Sequence, residues 1–257
     1  MTAKLHRIHI PGVGESMVSL ASGVPYAADA VAKTSQVGAY ARFGNKGFVY
    51  AKAGGTLWTD RGARNSLVQK INQVAVAVEQ AIGDKTVSLT IASGTAIAEN
   101  ELAGGEVLLG LFGTNPQPAF TRGIISNNAI ATGTGGTLVL VLDSPIPIAL
   151  TTSWTAECMV NPYSAVIETT DDFSMVMGMP TVPAKIGEGV WLQVSGPTWI
   201  VPQATVGAAV STQQCVFKND GSIEIPATLG SAQIAGTVCS TSGSGQAAPF
   251  VMLQIAH

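Results

Sequence analysis

Charged side chains make up only 11% of this 257-residue chain, against roughly 25% in an ordinary globular domain. So little charge disfavours a freely soluble enzyme. It suits a protein that covers much of its exterior with copies of itself or with a partner. Histidine is nearly missing: His6, His9 and His257 are the only three, all close to an end of the chain. A Ser-His-Asp or Cys-His mechanism needs an imidazole locked beside its nucleophile, and none of the three is placed to be that base. His6 and His9 would share a metal only on a helix, which HRIHIP does not favour, so neither a metal nor a cofactor is expected.

Long apolar runs are also missing. None reaches the roughly 18–20 residues of a membrane helix, so no membrane partner is expected. The opening MTAKLHRIHIPGVGES is basic but has no apolar core of signal-peptide length behind it, which disfavours export by the usual secretory route. Cysteine is sparse and odd in number: Cys158, Cys215 and Cys239, with no C-x-x-C spacing. These read as reduced, mostly buried thiols, with a Cys215–Cys239 disulfide left open as the alternative.

The remaining motif candidates are incomplete. VLVLDSP has the strand-then-Asp start of an aspartic protease loop, but Pro145 stands where that loop needs glycine, so Asp143 reads as a strand-ending turn residue. Glu168, Asp171 and Asp172 cluster without calcium-loop spacing and read as a solvated linker rather than a calcium site or a glycosidase pair. The glycine-rich stretch 132–136 does not precede a helix, so it is no phosphate cradle. Arg61 and Arg64 in TDRGARN lack interleaved aromatics and a strongly basic domain, so no nucleic acid is expected. The chain is therefore read as not an enzyme.

What charge there is falls unevenly. Residues 1–122 carry eleven basic and eight acidic side chains, and residues 123–257 carry two basic and eight acidic. A basic front suits contact with something anionic, and an acidic back suits solvent. The candidate contacts are Arg7, Lys33, Arg42, Lys46, Arg61 and Arg64.

The chain is rich in glycine (29) and proline (13), and its apolar content leans on Val, Ile and Ala. That mixture favours strands and turns. TVSLTI, GEVLLGLFG, FTRGIIS, TLVLVLDS, WTAECMVN, FSMVMGM, QQCVFK, AQIAGTVCS and PFVMLQI are short runs separated by turn signals, which predicts an all-β sandwich or barrel. Residues 65–82 fit either a helix, through Leu67, Ile71, Val74, Val78 and Ala81, or a strand through Val74, Val76 and Val78. The strand, from about 73 to 79, is favoured. Three regions are expected: an extended N-terminal arm with a short hairpin (1–64), a β-sandwich-like domain (65–168) and a C-terminal β-barrel-like module (169–257), joined at 169–181.

Residues 189–202, GVWLQVSGPTWIVP, carry two tryptophans around a Ser-Gly-Pro punctuation. They read as a packing hairpin in which Pro197 turns the chain, Trp199 returns beside Trp191, and Trp191 is offered to a neighbour.

From Gly189, Trp191, Val194, Ser195, Gly196 and Pro202, through Gly207, Val216, Phe217, Ile234 and Gly236, to the terminal strand 251–255, the order of motifs resembles the C-terminal module of tailed-bacteriophage head decoration (capsid cement) proteins. Upstream, Arg122, Asp143, Pro145, Asn161, Pro162 and Tyr163 follow a pattern similar to that of capsid-associated phage proteins. The chain departs from it at Gly123-Ile124-Ile125, which lacks a lysine, and at Ser195–Trp199, which lacks an aromatic before Gly-Pro. The resemblance spans roughly 65–257. It implies a structural virion protein made in the bacterial host cytoplasm and seated on the outer capsid surface. Its partners would be the major capsid protein and itself, as a homotrimer, and it would stabilise the expanded head. The alternative is a head-fibre or receptor-binding protein that holds host glycan through the aromatic hairpin, with Gln193 and Gln203 as polar partners.

Overall fold

The computed structural model describes residues 8–10, 13–16, 28–30, 32, 37–66, 69–113, 117–168, 174–203, 205–207, 213–226, 232–240 and 249–255. Among these there is no helix, and the chain is all-β. The strands are β1 (Ile8–Ile10), β2 (Val13–Ser16), β3 (Tyr40–Phe43), β4 (Lys46–Lys52), β5 (Ala63–Asn65) and β6 (Ile71–Ala75). Next come β7 (Thr86–Ile91), β8 (Glu106–Gly110), β9 (Ala119–Asn127), β10 (Gly136–Leu142), β11 (Thr155–Met159) and β12 (Val166–Ile167). The last six are β13 (Val176–Pro180), β14 (Gly189–Trp199), β15 (Gln214–Phe217), β16 (Ile223–Glu224), β17 (Ile234–Val238) and β18 (Phe250–Gln254).

One compact unit is built almost wholly from Val68–Asn161, a segment inserted between the two parts of the other unit. Its six strands form one antiparallel sheet in the order β6-β11-β8-β9-β10-β7. The sheet curls until its edges meet at the Val76–Leu89 bridge, where the Ala77 amide donates to the Ser88 carbonyl at 2.7 Å. Period-2 patterning explains the strands: Val87, Leu89 and Ile91 of β7 and Leu138, Leu140 and Leu142 of β10 point inward, while Thr90 and Val139 point out. Trp154, Val107, Leu109 and Ile124 are among the other residues of this core. In the ambiguous 65–82 stretch the strand wins over the helix, but it begins at Ile71 and loses regularity after Ala75.

The other unit joins residues before Leu67 to those after Pro162. Its ten strands follow the path β12-β5-β13-β14-β18-β17-β15-β16, with β4 beside β14 and β3 beside β4. The chain is thus divided differently from the expected boundaries after 64 and 168. The described residues from Tyr40 to Asn65 are no separate arm: β4 is a central strand along β14, and β5 pairs with β12 and β13. The short hairpin expected within 1–64, read from KGFVYAKAGGTLW as two strands around Gly54-Gly55, keeps its first strand as β4, while its second is reduced to a single bridge between Leu57 and Ala184.

The expected hairpin at 189–202 is instead one eleven-residue strand. The register of β14 with β18 runs unbroken from Ser195–Gln254 to Trp199–Phe250, straight through Gly196 and Pro197. Gly189–Ser195 pairs with β4 on the opposite edge, and the register slips by one residue between Gln193 and Ser195. Ser-Gly-Pro therefore marks a bulge, not a reversal. Gly196 sits at φ +88°, and a Cβ there would lie 2.4 Å from the Asn45 carbonyl oxygen, so only glycine fits. Pro197 is tolerated because it follows the end of the β4 ladder, where no partner needs its amide.

Candidate interaction surface

The two halves of β14 meet different surroundings. From Gly189 to Val194 every residue is buried, so both faces of the strand are covered. Trp191 is 6% exposed and meets the Tyr50 ring edge-on, with centroids 5.2 Å apart. It belongs to the core and is not offered to a neighbour, contrary to the reading of this stretch as a hairpin. Nor do the tryptophans stack: eight residues of one strand, at roughly 3.3 Å each, hold them about 26 Å apart. Gln193 is buried too, and its side-chain amide donates to the carbonyls of Ser195, Gly196 and Pro197 at 3.1–3.2 Å. It caps the bulge and is not presented to a ligand. Gln203 donates to Asp220 at 2.8 Å.

Trp199 and Pro197 are half-buried, on a face whose neighbours are more exposed. Opposite residues of an antiparallel pair share a face, so Trp199 sits beside Phe250, Pro197 beside Met252 and Ser195 beside Gln254. In β18 Val251 and Leu253 are buried, whereas Phe250 is 52% and Met252 38% exposed. β17 continues the face: Thr237 opposes Met252 and is exposed, as is Ile234. Beyond the strand end the Cys239 amide donates to the Phe250 carbonyl at 2.6 Å, and the residue is exposed. These strands carry no Asp, Glu, Lys or Arg on this face, which makes it an uncharged, largely apolar surface. Phe250, Met252 and Ile234 were missed in the sequence. The available signal was that PFVMLQI is apolar at both parities, which a strand with one wet face is not.

The basic candidates separate sharply. Arg42 is exposed and Lys46 partly so. They flank the two-residue turn Gly44-Asn45 of the β3–β4 hairpin, whose tip also shows Phe43 at 45% exposure. Arg64, by contrast, is buried and donates to the carbonyls of Ser174 and Lys218, tying two distant segments together. Arg61 donates to Asp220 at 2.8 Å. Arg64 is thus an internal staple rather than the contact expected of it, while Arg61 is tied to Asp220 but stays partly exposed. Arg7 and Lys33 lie outside the described residues.

Asp220 is the hub of that stapling. It accepts hydrogen bonds from Arg61, Gln203, the Ser222 amide and the Ser222 hydroxyl. Burial alone would raise its pKa, but the Ser222 bonds, the Arg61 guanidinium and Gln203 together hold it below the usual carboxylate range. Glu168 behaves oppositely: burial pushes its pKa up against the hydrogen bond from the Trp58 amide, with Asp60 nearby adding to the rise. Trp58 itself is 57% exposed and was also missed, although the turn residues around it in GGTLWTDRG marked a loop.

The other sequence candidates stay apart. Asp143 is exposed, and its amide donates to the Gly123 carbonyl at 3.0 Å. Arg122 stacks over Phe120 at 5.1 Å and donates twice to the Pro145 carbonyl at 2.8–2.9 Å, so the matched Arg122 and Pro145 form a strand-end clamp. Asp171, Asp172, His6 and His257 lie outside the described residues. Among the described residues no three His, Cys, Asp or Glu side chains group as a metal site. All three cysteines are free: Cys215 is buried and Cys239 exposed, so the disulfide alternative is not formed. No family model, curated protein or solved structure matches the chain.

Proposed function

We propose that this chain is a structural virion protein of the head-decoration kind, which attaches to the outer surface of a tailed-phage capsid and stabilises the expanded head. The observation that carries the reading is the uncharged face of β14, β18 and β17, where Phe250 and Met252 are exposed and Trp199 and Pro197, half-buried, stand on the same side of the sheet. Aromatic anchors on a preorganised surface are what protein–protein hot spots are made of. The same strands carry the motif order that resembles capsid cement proteins. In this reading that face meets other copies of the chain, giving a homotrimer, while the Arg42–Lys46 tip with Phe43 reaches the major capsid protein. Binding only the expanded lattice stabilises it by mass action.

The test compares heads made without the protein, heads with it restored, and heads given the Trp199→Ser/Phe250→Ser/Met252→Ser variant. Restored heads should survive heating and low salt better than bare heads, and the variant should fail to restore that survival while keeping its own melting temperature. Bare heads as robust as complete ones would end the cement reading. Antibody gold against residues 170–257 should scatter over the whole head. Gold confined to the tail tip would point to the receptor-binding alternative.

A further inference from the structure

The register carries the face of β14 and β18 onward into the β3–β4 hairpin. Gly47 lies opposite both Ser195 and Arg42. A Cβ on Gly47 would come within 2.6 Å of the Ser195 hydroxyl oxygen and 2.5 Å of the Tyr40 hydroxyl oxygen, so both side chains stand on that side of the sheet. Arg42, two residues along β3 from Tyr40, stands there too and is exposed. It makes no hydrogen bond or ion pair among the described residues. Phe43 and Lys46, opposite each other at the turn, belong to the other side. Among the described residues, Arg42 is therefore the one charged side chain on this side of β3, β4, β14, β18 and β17.

A lone arginine at the margin of an apolar face selects its partner. Two such faces pressed together would cover both arginines with no carboxylate between them, which is costly. The surface that fits is apolar and carries a carboxylate.

The inserted segment has that chemistry. Residues 68–161 hold seven acidic and three basic side chains. Its two most exposed large apolar side chains are Ile82, at 67%, and Val78, at 54%. Gln80 and Leu150 exchange two hydrogen bonds at 3.0 Å, and the Gly83 amide donates to the Ile146 carbonyl at 2.9 Å. These ties hold the backbone of Ile82 alongside that of Ile148, another exposed isoleucine. Glu79 follows Val78 in the same loop, is exposed, and makes no hydrogen bond or ion pair among the described residues. Asp84 accepts from the Ala81 amide at 2.9 Å, and Lys85 is the one cation of residues 76–85.

We propose that the face of β14, β18 and β17, with Arg42 at its margin, binds the Val78–Ile82–Ile148 patch of a second copy, where Glu79 pairs with Arg42. The contact is head-to-tail: each copy gives its face to one neighbour and its patch to another. Contacts of this kind close into rings, which is how a homotrimer would be built. The proposal rests on the self-association in the decoration reading and leaves Phe43 and Lys46 for the capsid lattice. It is tested on purified protein, so failure of the cement role on heads and failure of this contact are separate results.

The test measures the mass of the full-length protein by sedimentation across a concentration series. The parent should assemble, and Arg42→Glu and Glu79→Lys should each raise the midpoint concentration by about tenfold or more. The double variant, with the two charges exchanged, should return towards the parent midpoint. Phe250→Asp in the face and Ile82→Asp in the patch should each block self-assembly. Both residues are exposed, so circular dichroism should show folded chains. Mixed together, these two variants should form a 1:1 complex that stops at two copies, because one intact face and one intact patch remain. The proposal is overturned if the parent stays monomeric at the highest concentration reached, or if Ile82→Asp assembles like the parent. It is equally overturned if the charge exchange restores nothing, or if the two blocked variants do not combine.

Discussion

Trp191 meets Tyr50 edge-on at 5.2 Å and 67°, and the Tyr50 hydroxyl in turn donates to Asp29 at 2.6 Å. The pair sits where β14 and β4 run side by side, Trp191 directly opposite Tyr50. It places the first half of β14 in the core, whereas the second half, from Ser195 to Trp199, is mostly half-buried.

That division sets the first prediction. Trp191→Ala should cost about 3–5 kcal/mol of stability, since it leaves a cavity and removes an aromatic contact. Trp199→Ala, half-buried on the more exposed face, should cost about 1 kcal/mol or less. Urea unfolding of the two variants checks this, and equal losses would contradict the layering.

The bulge makes a second prediction. Gly196→Ala places a Cβ against the Asn45 carbonyl at a left-handed φ, and should cost about 2 kcal/mol or more. Gln193→Leu, of similar bulk, strips the amide donor from three carbonyls and should cost about 1–3 kcal/mol. Thermal melts would show whether either change is silent.

The thiols offer a third. Burial pushes Cys158 and Cys215 up to about 12, so both should resist alkylation at neutral pH while Cys239 reacts. Iodoacetamide with mass spectrometry should modify one site in the native protein and three after unfolding. Two or more fast sites in the native protein would mean that the β15 or β11 core is open.

Two carboxylates should give opposite pH responses. Asp220 is depressed in the folded state, so its contribution is present above the ordinary aspartate value of about 3.9 and is lost as pH falls through the folded value. Asp220→Asn should therefore destabilise at pH 7, with the difference narrowing in acid. Glu168 is raised, so the folded state holds its proton more tightly and stability falls as pH rises from about 4.3 through the folded value. Glu168→Gln should gain stability relative to the parent above that window and match it below. Denaturation at several pH values distinguishes the two signs.

The strands of the inserted unit were readable because their information is local. In TVSLTI and GTLVLVL the alternation of inward and outward residues is a property of neighbours one and two positions apart, and β7 and β10 follow it. The 189–202 stretch was misread for the same reason. Ser-Gly-Pro is turn chemistry locally, and only the ladders with β4 and β18, from opposite ends of the chain, keep β14 straight through it.

Arg64 shows the limit for site residues. Its charge and its neighbours in TDRGARN suggest a surface contact, but the carbonyls that accept its hydrogen bonds lie 110 and 154 residues away. Trp191 and Trp199 are likewise equivalent as residues in the sequence. By itself the sequence determined the all-β class, most strand positions and the scarcity of charge and of histidine, because composition and period-2 patterning need no knowledge of distant partners. Only the tertiary structure decided which tryptophan is core, which arginine is a staple and which sheet face stays bare, because burial depends on the layers that distant segments lay over each strand.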